Sequence, residues 1–139
     1  MYKKILLAVD GSENSLRAAK EAVKFASLVN ECVIEAVYIV DFTKAKSQVL
    51  HAQGKEELEL SRRKKIQPVE ELLKSNKLTY EMKILHGEPG PTIVDYANNE
   101  KFDLVIIGSR GLNSLQEMVL GSVSHKVVKR VKCPVLIIK

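Results

Sequence analysis

The sequence predicts an α/β fold in which helices cover both faces of a parallel sheet. Five strand-like segments alternate with helical segments, as they do when helices join parallel strands. The first, fourth and fifth are nearly continuous isoleucine, leucine and valine, which is typical of strands covered on both faces, and we expect these three at the centre of the sheet. The predicted strands are residues 4–9, 33–40, 79–85, 104–107 and 135–138.

A helix is predicted after the first strand, because apolar side chains recur there at intervals of three and four residues. Leu16, Ala19, Val23 and Ala26 form one stripe along it. Ser12 stands just before this stripe, where its side-chain oxygen can cap the first turn.

The second predicted helix spans residues 54–74. Its apolar positions are Leu58, Ile66, Val69, Leu72 and Leu73. Pro68 lies inside it and lacks the N–H of a regular helix, so we expect a kink or a split there. Residues 42–53, which precede this helix, are expected to form a longer, mobile excursion.

A shorter third helix is predicted after the third strand. Ile93, Val94 and Ala97 supply its apolar face, and Gly90-Pro91 places a proline in its first turn. We therefore expect this helix to begin close to Gly90.

Two interpretations are open for residues 111–130. In the first, a capping box at Ser114 starts a helix that continues through Gly121, at a cost of about 1 kcal/mol relative to alanine at that position. In the second, a short helical turn over residues 114–119 ends before Gly121, and a new helix begins at Ser122. We favour the second, because it places a glycine and a hydroxyl together at a helix start. The side chains buried by this new helix would be Val123, Val127 and Val128.

Length and composition fit one compact domain over residues 1–139. The chain has 139 residues, of which 45% are hydrophobic, enough for one core. No segment approaches the roughly 18 consecutive apolar residues of a membrane span, and the N-terminus leads straight into a strand rather than a signal peptide. We expect a soluble, cytoplasmic protein with no membrane partner. Cys32 and Cys133 lack metal-ligand spacing and are expected to be buried, reduced thiols.

The net charge of +5 raises the question of a nucleic-acid partner. Only 5% of the residues are aromatic and no RNA- or DNA-binding module is recognisable, so we expect no such partner. Much of the positive charge lies in the second helix. Glu59, with Arg62 and Arg63 three and four residues on, predicts a solvated face with weak ion pairs.

A glycine pattern follows the fourth strand: Gly108, Gly111 after two residues, and Gly121-Ser122 after nine more. Glycines let backbone N–H groups approach an anion, and a helix N-terminus carries partial positive charge. The pattern therefore predicts a phosphate-binding loop. On spacing alone the alternative stays open that Gly108 ends a strand, Gly111 forms a turn and Gly121 is a packing glycine.

Asp10 ends the first strand and is followed by Gly11-Ser12. Ligands of parallel α/β sheets bind at the carboxyl ends of strands, where the strand order reverses. If the first and fourth strands are neighbours, the Asp10 carboxylate faces the glycine loop. It would there accept hydrogen bonds from ribose hydroxyls or help to hold a divalent cation. The alternative is a capping or turn aspartate.

No catalytic residue and no metal-ligating set are predicted. The chain lacks a P-loop, a G-x-G-x-x-G after the first strand and a nucleophile elbow. His51, His86 and His125 are too far apart in sequence for a local metal motif.

Taken together, these motifs closely resemble the universal stress protein family over essentially the whole chain. The glycine element matches the ATP-binding form of that family, G-x2-G-x9-G-[S/T], without a gap or substitution. The other matching segments are residues 4–12, 36–40, 87–89, 103–108 and 133–138.

The resemblance implies an open five-stranded parallel sheet of order 3-2-1-4-5, Rossmann-like and of the adenine nucleotide alpha hydrolase-like type. It also implies a homodimer through the last strand, Val135–Ile138, whose short hydrophobic edge would otherwise invite aggregation. The implied ligand is ATP, with Mg or Mn bound through the phosphates. The implied binding residues are Asp10 near the ribose, the main chain of Ile39 near adenine, and Gly108, Gly111, Gly121, Ser122 and Val123 at the phosphates, with Ser12, Arg110 and Ser124 as weaker candidates.

The expected function is that of a cytoplasmic, ATP-binding homodimer that responds to stress or energy state through an unidentified protein partner. One alternative is a slow ATPase, or a protein that transfers phosphate to its own Ser122 or Ser124, since phosphoryl transfer depends mainly on positioning and charge stabilisation. Another alternative is a nucleotide-free dimeric interaction module.

Overall fold

Five parallel strands form one sheet in the order β3-β2-β1-β4-β5. The structure, a computed structural model, describes residues 2–41, 55–111 and 120–139. The strands are β1 (Lys4–Val9), β2 (Val33–Val40), β3 (Thr79–His86), β4 (Leu104–Gly108) and β5 (Val135–Ile138). The predicted fold class and strand order are confirmed.

The register brings the carboxyl ends of β1 and β4 side by side. Leu7 of β1 pairs with Ile106 of β4, and on the other side Val9 pairs with Tyr38 of β2. The expectation that the fifth segment would be central is wrong. In the described part of the chain β5 pairs with β4 alone, at the edge of the sheet, and Leu136 is exposed. The apolar sequence of β5 reflects the packing of its faces rather than a central position.

Four helices connect the described strands, two on each face of the sheet. They are α1 (Glu13–Leu28), α2 (Lys55–Ser75), α3 (Pro89–Asn99) and α4 (Ser122–Arg130). Alternate residues of β1 point to opposite faces: Leu7 packs with α1 and α2, and Leu6 packs with α3 and α4. The helices therefore cover both faces, as the sequence predicts.

Helix α1 begins as predicted, because the Ser12 Oγ accepts a hydrogen bond from the Ser15 N–H at 3.1 Å. The fully buried stripe consists of small side chains, which let the helix lie close to the sheet. Leu16 and Val23 are half-buried at its margin. The buried apolar residues are Ala18, Ala19, Ala22 and Ala26.

Helix α2 is continuous through Pro68, so the predicted split is wrong. Proline removes one intrahelical hydrogen bond, but Ile66 on one side of it and Val69 and Leu73 on the other are buried, the latter two in the core cluster that includes Leu7 of β1. This shared packing surface holds the two halves in one helix. The excursion predicted for residues 42–53 lies outside the described residues.

Helix α3 begins at Pro89 and buries Ile93, Val94 and Ala97, as predicted. Helix α3 packs on the sheet so that Tyr96 lies over β2.

Helix α4 begins at Ser122, and Gly121 is its N-cap, with extended backbone angles of φ −70° and ψ 167°. The interpretation in which one helix continues through Gly121 is therefore wrong, and the interpretation in which a new helix begins at Ser122 is confirmed. The turn predicted for residues 114–119 lies outside the described residues. Val127 is buried, whereas Val128 is 45% exposed, contrary to prediction, because it lies about 100° further around the helix.

Glu35 of β2 is the one charged residue that is buried in the described ranges. Its Oε1 accepts a hydrogen bond from the Tyr96 hydroxyl at 2.5 Å and lies 3.3 Å from the Lys83 Nζ. The hydrogen bonds with Tyr96 and Glu35 raise the pKa of Lys83. Burial, followed by the bond to Glu35, raises the pKa of Tyr96. This cluster joins α3 to the β2–β3 side of the sheet.

Cys32 and Cys133 are free thiols, as expected, and are half-buried rather than fully buried. Desolvation raises the pKa of both thiols. No helix in residues 2–41, 55–111 and 120–139 has the length and apolarity of a membrane span.

Candidate functional site

The carboxyl ends of β1, β2 and β4 open into a cleft of about 430 Å³. Apolar side chains form its floor, and its two walls are the first half of α2 and a set of residues after β4. We call residues 108–111 and 121–124 the glycine rim. The candidates that line the cleft are Asp10, Ile39, Gly108, Arg110, Gly111, Gly121, Ser122, Val123 and Ser124.

Ser12 is the one candidate that is absent from the described lining of the cleft. Its Oγ is already engaged as the cap of α1, accepting from the Ser15 N–H. The structure therefore gives Ser12 a helix-capping role, which the sequence also predicted.

Asp10 faces the glycine rim from the end of β1. A Cβ added to Gly111 would lie 2.6 Å from the Asp10 Oδ2. The other carboxylate oxygen, Oδ1, accepts a hydrogen bond from the Ser12 N–H at 2.9 Å, which is an Asx turn. Asp10 is therefore both a turn residue, through Oδ1, and a residue that faces the glycine loop, through Oδ2.

Gly108 is a glycine because α1 packs directly on the end of β4. A Cβ at this position would lie 2.9 Å from the Asn14 Cβ and 3.0 Å from the Asn14 backbone carbon. The Gly108 carbonyl accepts a hydrogen bond from the Ser124 Oγ at 2.7 Å, which ties the first turn of α4 to β4. Gly108 ends β4, as the alternative kept open above has it, and packing against α1 accounts for the glycine at this position.

Ser109 fixes the glycine rim through three hydrogen bonds. Its N–H donates to the Ile138 carbonyl at 2.7 Å, and its carbonyl accepts from the Gly121 N–H at 2.7 Å. Its Oγ accepts from the Asn14 Nδ2 at 3.1 Å. One buried serine therefore connects β4 with β5, α1 and the start of α4, and it occupies the Gly121 N–H.

The donors that α4 offers to the cleft come after Gly121. The intrahelical ladder begins with the His125 N–H, which donates to the Gly121 carbonyl at 2.9 Å. The N–H groups of Ser122, Val123 and Ser124 precede that bond and have no acceptor within the helix. Partial positive charge also accumulates at this end of α4, so the arrangement suits an anion.

Among residues 2–41, 55–111 and 120–139, no atom comes close enough to Gly121 to exclude a Cβ. The nearest atom to an added Cβ is the Arg110 Cα at 3.5 Å, an ordinary contact distance, and the φ of −70° suits any residue. Gly121 is buried, and a Cβ there would make ordinary contacts with the backbone of residues 109–111, so the described contacts do not require a glycine at this position.

The two serines named as phosphate acceptors differ in accessibility. Ser122 is exposed beside the cleft. Ser124 is only 3% exposed, and its hydroxyl already donates to Gly108. Its main contribution is to hold α4 in place.

The α2 wall of the cleft was not predicted from the sequence. Leu58, Ser61, Arg62 and Lys65 are spaced as one helical face, and all four line the cleft. Arg62 was expected on a solvated face, but the structure places it half-buried at the cleft, whereas Arg63 is exposed. The sequence did contain a signal for this wall, because these four positions continue the apolar stripe of the same helix.

Charges of both signs line the described part of the cleft. The cations are Arg62, Lys65 and Arg110, and the anions are Asp10 and Asp41. In residues 2–41, 55–111 and 120–139 no group of three or more His, Cys, Asp or Glu side chains forms a metal site.

Comparison with known proteins identifies the family. A family model described as the universal stress protein family matches residues 1–139. The chain belongs to the universal stress protein family. It is 37% identical over 145 residues to universal stress protein MJ0531 of Methanocaldococcus jannaschii, covering 100% of this chain and 83% of that protein.

Solved structures of universal stress proteins share the fold. The structure of MJ0577 from Methanocaldococcus jannaschii superposes with a TM-score of 0.86 at 31% identity, covering 100% of this chain and 96% of that one. A universal stress protein in complex with cAMP superposes with a TM-score of 0.67 at 26% identity, covering 99% of this chain and 97% of that one. The second of these structures is therefore a universal stress protein with a bound nucleotide.

Proposed function

We propose that this universal stress protein binds adenine nucleotides, with ATP as its ligand, at the cleft between the glycine rim and α2. The observation that carries the proposal is the convergence of the Asp10 carboxylate and the open N-terminus of α4 on one cleft. The cAMP complex of a relative supports the nucleotide class. The complete G-x2-G-x9-G-[S/T] element supports a phosphate chain as the group held.

Each part of the nucleotide is assigned to a part of the cleft. The main chain of Ile39 lies at the end of β2, where it would contact adenine, and Asp10 would accept hydrogen bonds from the ribose hydroxyls. The N–H groups at the start of α4 and the Ser122 Oγ would donate to phosphate oxygens. Gly111 and Gly121 would leave room for the phosphates. Mg or Mn, when bound through those phosphates, would neutralise part of their charge.

In the proposed role, nucleotide occupancy changes the surface around the glycine rim and thereby the affinity for a protein partner. We place this activity in a single cytoplasmic domain over residues 1–139. The functional unit would be a homodimer through β5, whose residues lie at the open edge of the sheet.

The first test is calorimetric titration of nucleotide-free protein with ATP and Mg²⁺, together with mass spectrometry of any small molecule that copurifies. We expect saturable binding of one nucleotide per chain. Protein that binds neither ATP nor AMP at millimolar concentration would contradict the proposed function.

Substitutions at Gly121 test the assigned location. Gly121→Ser adds a small, cap-compatible side chain, and Gly121→Val adds a bulkier one, at a backbone conformation that accepts both. We expect ATP affinity to fall with Ser and to be lost with Val, because the side chain fills the space left for phosphate. Circular dichroism should show native secondary structure in both, and wild-type affinity in Gly121→Val would refute this location.

A further inference from the structure

Helix α2 carries two kinds of surface on one face. Over the sheet this face is apolar, and Ile66, Val69 and Leu73 are buried. One to two turns earlier it reaches the carboxyl edge of the sheet, where Arg62 and Lys65 line the cleft. The same helical stripe that anchors α2 therefore presents two cations to the cleft that the glycine rim also lines.

The position of Lys65 is supported by a second feature, the backbone at Gly11. Gly11 has a φ of +84°, and a Cβ added to it would lie 2.6 Å from the Lys65 Cγ and 2.8 Å from its Cβ. A glycine at this point lets the Lys65 stem pack against the main chain directly after Asp10. The end of β1 therefore helps to hold Lys65 at the cleft.

The charges of the cleft make these cations relevant to ligand choice. Asp10 and Asp41 place negative charge at the cleft, while on the glycine rim the start of α4 supplies partial positive charge and Arg110 supplies one full positive charge. Each phosphate added to a nucleotide increases its negative charge, so a di- or triphosphate needs more compensation than a monophosphate. Arg62 and Lys65 add two full positive charges to the lining of this cleft from α2.

We propose that Arg62 and Lys65 bind the outer phosphates of the nucleotide and make the cleft select di- and triphosphates over monophosphates. The proposal rests on the nucleotide-binding function proposed above. It gives α2 a direct role in ligand recognition that the glycine motif does not contain.

The test compares two double variants of equal charge. Arg62→Gln with Lys65→Met removes the cleft cations, and methionine retains the stem that packs on Gly11. Arg63→Gln with Lys64→Met removes the neighbouring cations, which are exposed to solvent. Both pairs lower the net charge by two, so long-range electrostatics is matched. Affinities for AMP, ADP and ATP are measured by calorimetry in the same buffer.

For wild type we expect affinity to rise from AMP to ATP. The cleft variant should lose about tenfold or more of its ATP affinity, as expected for lost charge-assisted hydrogen bonds, with AMP affinity changed less than about threefold. The control variant should bind all three nucleotides as wild type does.

Three results would overturn this proposal: equal losses of ATP affinity in the two variants, equal losses for AMP and ATP in the cleft variant, or no loss at all. An Arg62→Lys variant, which retains the positive charge, controls for disruption of α2 by a substitution at this position. It should keep most of the preference for ATP over AMP. If wild type binds no nucleotide, the proposed function itself fails. Wild-type binding with an unaffected cleft variant refutes only the role of α2.

Discussion

At the residue scale, the three glycines of the rim have different surroundings. An added Cβ would press on α1 at Gly108 and on the Asp10 carboxylate at Gly111, but would meet only ordinary contacts at Gly121. The motif therefore combines a packing requirement at Gly108, a close approach to Asp10 at Gly111, and a position at Gly121 where the described contacts admit a Cβ. Sequence spacing identifies all three positions and does not separate these roles.

This difference predicts that small substitutions at Gly108 and Gly121 change the free energy of unfolding to different extents. Gly108→Ala should lower the free energy of unfolding by about 1–3 kcal/mol, because its Cβ overlaps the first turn of α1. Gly121→Ser should change it by less than about 0.5 kcal/mol, since serine is a favourable N-cap. Urea unfolding followed by circular dichroism measures both. Equal stability losses in the two variants would contradict the contacts described for Gly121.

At the element scale, two serines at the start of α4 differ in role. Ser124 anchors the helix to β4, and Ser122, two residues earlier, is exposed beside the cleft. The Ser124 hydroxyl is buried and bonded to Gly108, whereas Ser122 is exposed. The helix start was predictable from Gly121-Ser122, but the anchoring bond depends on how close α4 lies to β4.

Alanine variants should separate anchoring from binding. Ser124→Ala removes a donor from the buried Gly108 carbonyl and should destabilise the protein by about 1–3 kcal/mol. Ser122→Ala should cost less than about 0.5 kcal/mol in stability and instead weaken ATP binding. Thermal unfolding and calorimetry give the two readouts. A stability loss at Ser122 with none at Ser124 would reverse the assignment.

At the scale of the whole molecule, the edge strand β5 determines the proposed assembly. Leu136 of β5 is 37% exposed, and Leu60 of α2 is 54% exposed. Charged side chains at sheet edges discourage strand pairing between molecules. The two leucines therefore offer a substitution on the proposed interface and a matched one away from it.

Leu136→Lys should convert the dimer to a monomer, because two copies of the charge would meet across the paired edges. Leu60→Lys should leave the dimer intact. Size-exclusion chromatography with light scattering reports the mass of each. A monomeric wild type, or a Leu136→Lys dimer as stable as wild type, would contradict assembly through β5.

The five strands, the α/β class, the cap at Ser12 and the position of the glycine loop could be predicted from the sequence alone, because they follow from local periodicity and from a motif whose spacing spans one loop. That Asp10 faces this loop was predicted only on the condition that β1 and β4 are neighbours, which the pairing of Leu7 with Ile106 satisfies. Tertiary structure alone decided that β5 lies at an edge, that α2 passes Pro68 unbroken, and that Arg62 lines the cleft instead of a solvated face. The reason is that a helix face meets water, core or cleft according to where the helix crosses the sheet, and that position depends on contacts between residues far apart in the chain.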